Sequence, residues 1–363
     1  MMRNVDIFIT GLDSGGAERQ LLNLIQGVNK SKYLIRVYVL KGEGFYSNQF
    51  KCLNIEIIYL NLNIYNFLFH LQKYTSKLKL RKEKTVIMSW LYHADFFVSL
   101  IKLRCSQVDV IWNIRCGEIS KEYGVTTYII IKLLSWLSHT IPKEIIYNSY
   151  RGREVHELFG YRKIGKVVVN SLACSNFKDN PYELTKNEKI VFGVVGRPAP
   201  QKGYSVLFRA LNMLPKTIRT NLKIKAAGFD DNEVDLSELS DDIDIKICGR
   251  VDNISTFYNS IDMLILPSVF GEGMPNVIIE AFFHGKPSIG SEVGDVPILL
   301  GEGRGVLVPP GDIFKLSKSI EMIADMSRKE LQRLYSPAKL KKYASVEFDV
   351  EAVVQRYEKF FNL

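Results

Sequence analysis

The sequence contains few cysteines, and they form no recognisable metal-site or disulfide pattern. There are five in 363 residues, an odd number with no C-x-x-C pair. They are Cys52, Cys105, Cys116, Cys174 and Cys248. Scattered cysteines of this kind are typical of proteins from reducing compartments. The N-terminus, Met1 to Thr10, carries Asp6 within its apolar run and has no signal-peptide layout. We therefore expect a cytoplasmic protein.

Long uninterrupted apolar runs are also absent. The longest apolar stretch, Val125 to Ile141, falls short of the roughly 20 continuous apolar residues that a membrane span needs. It is interrupted by Lys132, Ser135, Ser138 and His139. We predict a buried helix here, with a helix embedded in a membrane surface as the alternative.

Acidic residues are scarce in the first half of the chain. Residues 1–172 contain 24 Lys and Arg against 13 Asp and Glu, whereas the remainder contains 24 against 26, so the net charge of +9 originates in the first half. A basic cluster follows the apolar stretch Ile64 to Leu71, and its members are Lys73, Lys77, Lys79, Arg81, Lys82 and Lys84. A solvated helix face and peripheral contact with an anionic membrane both remain possible explanations. Nucleic acid is not expected as a partner, because no nucleic-acid-binding motif accompanies the charge.

Short β-branched runs alternate with helical patterns along the whole chain. Nearly continuous apolar strands alternating with helices indicate an α/β protein with parallel sheets covered on both faces. The opening pattern of strand, glycine loop and helix at Val5 to Lys30 recurs after Lys189. We predict two Rossmann-like lobes, residues 1–173 and 189–345, a polar linker at 174–188, and a C-terminal helix at 346–363 that packs back on the lobes. Ligands of such sheets bind beyond the carboxyl ends of the strands, which predicts a site in a central cleft that the two sheets face.

Two glycine loops follow strands at the start of these lobes. Gly15 and Gly16 precede a helix, where backbone N–H groups and the helix dipole favour an anion. Neither G-x-G-x-x-G nor a P-loop is present, which disfavours a nicotinamide dehydrogenase. In the second loop Arg197 and Lys202 lie five residues apart. A planar guanidinium and a point charge suit a diphosphate, although a solvated basic turn is the alternative.

The most informative segment is Pro267 to Pro287. Glu272 lies in a glycine-flanked loop after a strand, and Glu280 follows eight residues later within a helix that begins near Pro275 and Asn276. Free N–H groups at a helix start, with carboxylates at two depths, suit a ligand that carries a phosphate with hydroxyl groups on either side.

These residues resemble the retaining, GT-B-fold glycosyltransferases of the "glycosyl transferases group 1" family. The pair Glu272 and Glu280 matches the family's E-x7-E motif, and further likenesses lie in 15–18, 196–203, 294–295 and 305–312. One departure precedes the linker, where Asn170-Ser-Leu-Ala173 replaces the usual Asn-Gly-Val-Asp.

The resemblance implies a role for each matching residue. Arg197 and Lys202 would hold the diphosphate of a nucleotide-sugar donor, Glu280 would bind the ribose hydroxyls, and Glu272 would bind the transferred sugar. The implied donor-binding residues are Gly15, Gly16, Arg197, Lys202, Arg250, Val251, Gly273, Met274, Pro275, Asn276, Val277 and Glu280. His93 and Glu272 are the implied catalytic residues, and Arg115 is predicted to touch the acceptor.

The resulting hypothesis is a retaining glycosyltransferase of cell-surface polysaccharide synthesis. It would use a UDP-sugar and a saccharide acceptor, which the basic first half suggests is lipid-linked. No cofactor or metal is expected. Glycosyltransferases of the GT-A class hold a metal ion through a D-x-D triplet after an early strand, but the triplet here, Asp242-Ile-Asp244, lies in an acidic loop that leads into a later strand, and we expect its side chains to be solvated. The alternatives are a GT-B-fold epimerase or phosphorylase and a noncatalytic scaffold of the same fold.

Overall fold

The chain is divided into two compact units. The computed structural model describes residues 2–81, 83–120, 124–172, 189–230, 233–251 and 253–363. The first unit comprises Met1–Ser171 and Val350–Leu363, and the second comprises Leu172–Asp349. The predicted linker, 174–188, lies outside the described residues.

The first unit contains a seven-stranded parallel sheet. Its strands are β1 (Arg3–Ile9), β2 (Tyr33–Val39), β3 (Glu56–Tyr59), β4 (Thr85–Trp90), β5 (Asp109–Ile114), β6 (Glu144–Tyr147) and β7 (Gly165–Val167), in the order β3-β2-β1-β4-β5-β6-β7. Its helices are α1 (Gly16–Gly27), α2 (Ser47–Lys51), α3 (Phe67–Leu80), α4 (Tyr92–Arg104), α5 (Val125–Leu137) and α6 (Tyr150–Leu158). Because β1, β4 and β5 are neighbours, the segments that follow them emerge side by side at the carboxyl edge of the sheet.

The second unit contains a six-stranded parallel sheet. Its strands are β8 (Val191–Val195), β9 (Lys223–Ala227), β10 (Asp244–Ile247), β11 (Met263–Leu266), β12 (Ser288–Ser291) and β13 (Gly305–Val308), in the order β10-β9-β8-β11-β12-β13. Its helices are α7 (Tyr204–Asn212), α8 (Lys216–Arg219), α9 (Ile254–Asn259), α10 (Asn276–Phe283), α11 (Val296–Leu300), α12 (Ile313–Ala324), α13 (Arg328–Leu334) and α14 (Pro337–Phe348). The predicted α/β class with two parallel sheets is confirmed.

Buried apolar strands explain the parallel arrangement. Val5, Ile7, Phe8 and Ile9 of β1 are fully buried although their side chains alternate between the two faces of the sheet. A strand that is buried on both faces needs helices on both sides, which right-handed strand–helix–strand crossovers provide.

The C-terminal region differs from the single helix predicted over 346–363. Helix α14 ends at Phe348, Asp349 is extended, and α15 (Val350–Phe361) begins one residue later. Helix α14 packs on α10 in the second unit, whereas α15 packs on α1 in the first. The extended backbone at Asp349 therefore separates two helices that pack in different units.

The segment that replaces the usual glycine turn is held by hydrogen bonds. The Ser171 N–H donates to Gln20 Oε1 at 2.6 Å, and Gln20 Nε2 donates to the Ser171 carbonyl at 3.0 Å. In the second unit, the Leu172 N–H donates to the Phe348 carbonyl at 2.9 Å. Helix α1 therefore anchors the end of the first unit through a reciprocal side chain to main chain pair.

Helix α5 is only half buried, so the predicted buried helix is wrong for one of its faces. Ile131 and Leu134 are buried, but Trp136 is 72% exposed. Val125, Ile129 and Leu133 are exposed with it, four residues apart along the helix. No helix within the described residues is both long and apolar enough to cross a membrane.

A buried cluster of charged side chains surrounds Asp6, a residue of β1 in the first sheet. Its Oδ1 accepts from Arg36 Nε at 2.7 Å, and its Oδ2 accepts from an Arg81 guanidinium nitrogen at 2.7 Å and from the Tyr74 hydroxyl at 2.6 Å. The Asp6 side chain is fully buried. One carboxylate thus compensates two guanidinium groups, which tie β2 and the segment after α3 to β1.

We expect Asp6→Ala to lower the free energy of unfolding of the first unit by about 3–5 kcal/mol, because removing one partner leaves buried charges uncompensated. All three tryptophans, Trp90, Trp112 and Trp136, lie in this unit, so fluorescence during urea denaturation reports on it selectively.

Asp109→Ala is the matched control. Asp109 also faces two cations, Lys84 at 2.9 Å and Lys143 at 3.1 Å, but both lysines are exposed. We expect this variant to lose less than about 1 kcal/mol. Equal losses in the two variants would contradict the assignment of Asp6 as a buried anchor.

Candidate functional site

The loop after β8 is built around main-chain contacts. The Gly196 N–H donates to the Ala227 carbonyl at 3.0 Å, and the Tyr204 hydroxyl donates to the Gly196 carbonyl at 2.7 Å. A short 3-10 turn at Pro200–Lys202 follows, and Gly203 then adopts φ +66° before α7 begins. The left-handed turn at Gly203 places Lys202 at the end of the loop, at the carboxyl edge of the sheet.

Close packing joins this loop to the loop after β11. A Cβ atom added at Gly203 would overlap the Pro267 carbonyl oxygen, so only glycine allows the two backbones to approach this closely. The Val269 N–H also donates to the Gln201 carbonyl at 2.8 Å. Since β8 and β11 are adjacent strands, these contacts bring the predicted diphosphate loop against the first predicted glutamate.

Lys202, Glu272 and Ser268 form one hydrogen-bonded cluster. Glu272 Oε1 accepts from Lys202 Nζ at 2.7 Å and from the Ser268 hydroxyl at 2.7 Å. Glu272 is only 8% exposed and Ser268 is fully buried. No residue of the described ranges is hydrogen bonded to Oε2, so the carboxylate is anchored through one oxygen. Sequence reasoning missed Ser268, although its position two residues after the end of β11 and four residues before Glu272 could have indicated it.

The main chain from Gly273 to Val277 leads from Glu272 into α10. Met274 is buried, and Pro275 is the N-cap residue of the helix that Asn276 begins. The Asp295 N–H donates to the Gly273 carbonyl at 2.8 Å, and a Cβ added at Gly294 would overlap the Glu272 carbonyl. The loop is therefore held in place by the segment after β12.

Glu280 lies within α10 and is 7% exposed. Its Oε2 is 2.9 Å from the hydroxyl of Tyr258, a residue of α9. Burial, followed by the negative charge of Glu280, raises the pKa of Tyr258 well above its usual value, so this hydroxyl keeps its proton and acts as a donor. Sequence reasoning did not single out Tyr258, and no motif marks it.

The other predicted donor residues of this unit have different surroundings. Arg197 is exposed and forms no ion pair with any residue that the structure describes. Arg250 is exposed and pairs with Glu233 at 3.0 Å, and Val251 is half-buried beside it. The structure thus brings Lys202 into direct contact with Glu272, whereas within the described ranges no hydrogen bond or ion pair joins Arg197 or Arg250 to either residue.

Three predicted residue groups of the first unit follow adjacent strands. Gly15 lies between β1 and α1 and Gly16 begins α1, His93 lies in α4, which follows β4, and Arg115 follows β5. A Cβ added at Gly16 would meet no atom within 4 Å, whereas one added at Gly15 would overlap the Glu18 carboxylate, so this helix start is open beside Gly16 only. The three groups therefore share the carboxyl edge of the sheet.

His93 is the second residue of α4 and is half-buried. Burial, with a smaller contribution from the charge of Lys41, lowers its pKa, so the imidazole is neutral at pH 7. Leu91, the N-cap residue, has φ +79°, a conformation that is strained for a residue with a branched side chain. Strain of this kind persists only where neighbouring structure holds it. Here the Leu91 N–H donates to the Asn113 carbonyl at 3.2 Å.

Arg115 is held by aromatic and polar groups. Its guanidinium lies 4.8 Å from the centre of the Trp90 ring and donates to the Tyr357 hydroxyl at 3.1 Å and to Asn170 Oδ1 at 2.6 Å. Trp90 in turn donates through its indole N–H to the Ala17 carbonyl at 2.9 Å. The network links the ends of β4 and β5 to α15 and to the start of α1.

Two observations bear on whether the described residues could hold a metal ion. In the described part of the chain, no three His, Cys, Asp or Glu side chains are placed to hold one. In the D-x-D triplet, Asp242 pairs with Arg219 at 3.1 Å instead of being free in solvent. The prediction that this aspartate is simply solvated therefore needs correction, since an arginine compensates it.

Comparison with known sequences finds a family match within the second unit. Residues 189–325 match the family model described as Glycosyl transferases group 1, which confirms the resemblance carried by Glu272 and Glu280. The chain is 26% identical to the Campylobacter jejuni enzyme named GalNAc-alpha-(1->4)-GalNAc-alpha-(1->3)-diNAcBac-PP-undecaprenol alpha-1,4-N-acetyl-D-galactosaminyltransferase, over 91% of this chain and 92% of that enzyme. It is 24% identical to the Salmonella typhimurium lipopolysaccharide 1,2-N-acetylglucosaminetransferase, over 53% and 55% of the two chains.

Solved structures share the fold. Anabaena Alr3699/HepE, crystallised in complex with UDP, superposes with a TM-score of 0.81 at 18% identity, covering 99% of this chain and 100% of that chain. The apo form of the lipopolysaccharide outer core galactosyltransferase WaaB gives a TM-score of 0.77 at 16% identity, covering 99% of both chains. The fold is therefore GT-B, as predicted.

We expect Gly203→Ala to destabilise the second unit by roughly 2–4 kcal/mol, because the new Cβ meets both a strained backbone and the Pro267 carbonyl. Gly311→Ala is the matched control, since Gly311 has φ +74° but nothing lies within 4 Å of an added Cβ. The control should lose only about 1 kcal/mol, from the backbone conformation alone. Thermal unfolding followed by circular dichroism measures both, and equal shifts would show that the two loops are not in close contact.

Proposed function

We propose that this chain, whose residues 189–325 match the Glycosyl transferases group 1 family model, is a glycosyltransferase that transfers a sugar from a UDP-sugar to a saccharide acceptor with retention of configuration. The observation that carries the proposal is the cluster of Lys202, Glu272 and Ser268 at the carboxyl ends of β8 and β11. The name of the Salmonella relative supports a role in lipopolysaccharide or polysaccharide synthesis, and the name of the Campylobacter relative, which includes PP-undecaprenol, supports a lipid-linked saccharide as the acceptor.

The donor diphosphate would be held by Arg197 and Lys202. Arg197 is exposed and, among described residues, unpaired, so its guanidinium is available to a phosphate. Lys202 has three N–H donors, of which Glu272 uses one, so it can bind a phosphate without losing the ion pair. As the sugar–phosphate bond breaks, negative charge grows on the diphosphate, and these two cations would stabilise it. Metal independence is part of the proposal for this reason.

The two glutamates would hold the hydroxyl groups on either side of the diphosphate. Glu272 would accept from the transferred sugar through Oε2, helped by the main chain from Gly273 to Val277. Glu280 would accept from the ribose, and Arg250 with Val251 would flank the base. UDP as the nucleotide is supported by the UDP complex of a protein with the same fold.

Retention would follow from attack on the same face as the departing phosphate. Glu272 would be a poor nucleophile, because the hydrogen bonds from the Lys202 ammonium group and the Ser268 hydroxyl stabilise its negative charge. The acceptor hydroxyl would therefore form the new bond to the anomeric carbon while the sugar–phosphate bond breaks, and its proton would pass to the leaving phosphate. The catalytic role of His93 and the acceptor contact of Arg115 stay predictions.

The acceptor is proposed to be lipid-linked, with the first unit docked on an anionic membrane. Large apolar side chains are exposed around the start of α3 at Ile64, Tyr65, Leu68 and Phe69, and on α5 at Val125, Ile129, Leu133 and Trp136. Lys73 and Lys77 continue the exposed face of α3, and Lys132 lies beside the stripe of α5. Apolar side chains flanked by basic ones are typical of helices that lie in a membrane interface.

The position of these helices fits the proposed acceptor. Helices α3 and α5 both pack against α4, and each follows a strand of the parallel sheet. Their first turns therefore lie at the carboxyl edge of the sheet, the edge that also carries His93 and Arg115. A lipid-linked saccharide held at the membrane would be delivered to this edge.

We expect Glu272→Ala to abolish sugar transfer while UDP still binds, because the carboxylate contacts the sugar and not the nucleotide. Lys202→Ala should instead weaken UDP binding by about 1.5–3 kcal/mol, as for one hydrogen bond to a charged group. Transfer is measured by mass spectrometry of acceptor products, and UDP binding by calorimetry. Near-normal turnover in Glu272→Ala would contradict the site, and consumption of donor without a glycosylated acceptor would favour an epimerase or phosphorylase.

We expect Phe69→Ser to weaken binding to anionic vesicles by roughly tenfold, because burying a phenylalanine contributes about 1.5–3 kcal/mol. Phe314→Ser is the matched control, since Phe314 is 58% exposed in the second unit and Phe69 is 60% exposed. Sedimentation with phosphatidylcholine vesicles, with and without phosphatidylglycerol, measures both. Equal binding of the wild type to the two kinds of vesicle would contradict an electrostatic attraction to anionic lipid. Equal losses in the two variants would contradict the assignment of the face around Phe69 as the membrane-binding surface.

A further inference from the structure

The Tyr258 hydroxyl lies between two acceptors on α10. It is 2.9 Å from Glu280 Oε2 and 3.1 Å from the Val277 carbonyl oxygen. A hydroxyl has one proton and can donate it to only one of them at a time. An ionised carboxylate is the stronger acceptor, so the proton is directed to Glu280.

The ring of Tyr258 is fixed by its surroundings. Its side chain is fully buried, and the ring of His284 stacks on it with centres 5.1 Å apart and planes 22° apart. His284 Nδ1 is 2.8 Å from the Glu280 carbonyl oxygen, so its N–H points to that acceptor and orients the imidazole. The hydroxyl and the ring of Tyr258 therefore both contact α10, the helix that carries Glu280.

Helix α9 itself is held against the sheet. A Cβ added at Gly193 of β8 would overlap Ile261 and lie 3.2 Å from the ring of Phe257, the residue before Tyr258. Since Gly193 has no side chain, α9 and the segment after it pack directly on β8, the strand that leads into the Arg197 and Lys202 loop. Tyr258 thus belongs to a helix that packs on that strand, and its hydroxyl contacts Glu280.

We propose that Tyr258 is a positioning residue that fixes the Glu280 carboxylate and thereby makes the donor site depend on a ribose hydroxyl. The inference rests on the proposed function, in which Glu280 accepts a hydrogen bond from the ribose. A carboxylate held in one orientation binds a hydroxyl without first losing side-chain freedom. A buried acceptor that is held in this way also discriminates against a nucleotide that lacks the hydroxyl.

The test compares Tyr258→Phe with the wild type against UDP, 2′-deoxy-UDP and 3′-deoxy-UDP by calorimetry. We expect the wild type to prefer UDP over the analogue that lacks the hydroxyl bound by Glu280. Tyr258→Phe should bind UDP about tenfold more weakly, yet bind that analogue as the wild type does, so that the preference collapses. The value of kcat should stay unchanged while KM for the UDP-sugar rises, because the lost contact lies in the nucleotide and not at the reacting carbon.

Tyr161→Phe is the matched control. It also removes a buried tyrosine hydroxyl, one that donates to the Ile131 carbonyl at 3.2 Å in the first unit. It should leave all three nucleotide affinities unchanged. Should Tyr258→Phe fail to fold, His284→Asn carries the same comparison, because it removes the stacked ring while keeping a side-chain N–H donor.

The outcomes separate this inference from the function on which it rests. Equal weakening of all three nucleotides in Tyr258→Phe would indicate a purely structural role and overturn the inference, and so would an unchanged preference for UDP. A wild type that binds UDP without any preference over either analogue would overturn both the inference and the ribose contact of Glu280. A wild type that binds none of the three would instead overturn the proposed UDP donor.

Discussion

The ion pair between Lys202 and Glu272 is the interaction on which the candidate site depends. It joins the loop after β8 to the loop after β11, and it exists only because Gly203 lets the two backbones meet. The pair is mostly shielded from solvent, and Ser268 adds a second donor to the same carboxylate oxygen. Such a pair is stable without a ligand because each charge compensates the other. The pair also keeps Lys202 next to Glu272, the residue proposed to bind the sugar. The same ion pair would therefore fix the positions of the phosphate contact and of the sugar contact.

The same arrangement, a predicted donor-binding side chain anchored by a hydrogen-bond donor, recurs at Glu280. There the donor is a tyrosine hydroxyl whose pKa is raised by burial and by the carboxylate itself, so it remains protonated. In the first unit, Trp90 and Tyr357 hold Arg115 in a comparable way, although the anchors are aromatic rings and a hydroxyl. Lys202, Tyr258 and Tyr357 each come from a different element than the residue they hold, so the positions of Glu272, Glu280 and Arg115 depend on how the elements of each unit pack.

Much of the fold and part of the site could be predicted from the sequence. The apolar strands, the repeated glycine loops and the Glu272 to Glu280 spacing are local patterns, and the strands and both loops lie where those patterns indicate. Tyr258 could not be predicted, because its partner is fixed by how α9 packs on α10, and nothing in its own neighbourhood encodes that. The preferred prediction of a buried helix at α5 was wrong for one face for a related reason. A helix that is apolar on nearly every face does not show which face the sheet covers. The sequence likewise could not show that Lys202 is paired and Arg197 is exposed, because this difference depends on how closely the loop after β11 approaches Lys202.

The most direct measurement of the central claim is a crystal structure of the protein with UDP. The account predicts that the phosphates lie within hydrogen-bonding distance of both Lys202 and Arg197, that the Lys202 to Glu272 pair persists, and that the ribose hydroxyls contact Glu280. UDP bound with its phosphates away from Lys202, or with its ribose away from Glu280, would contradict it.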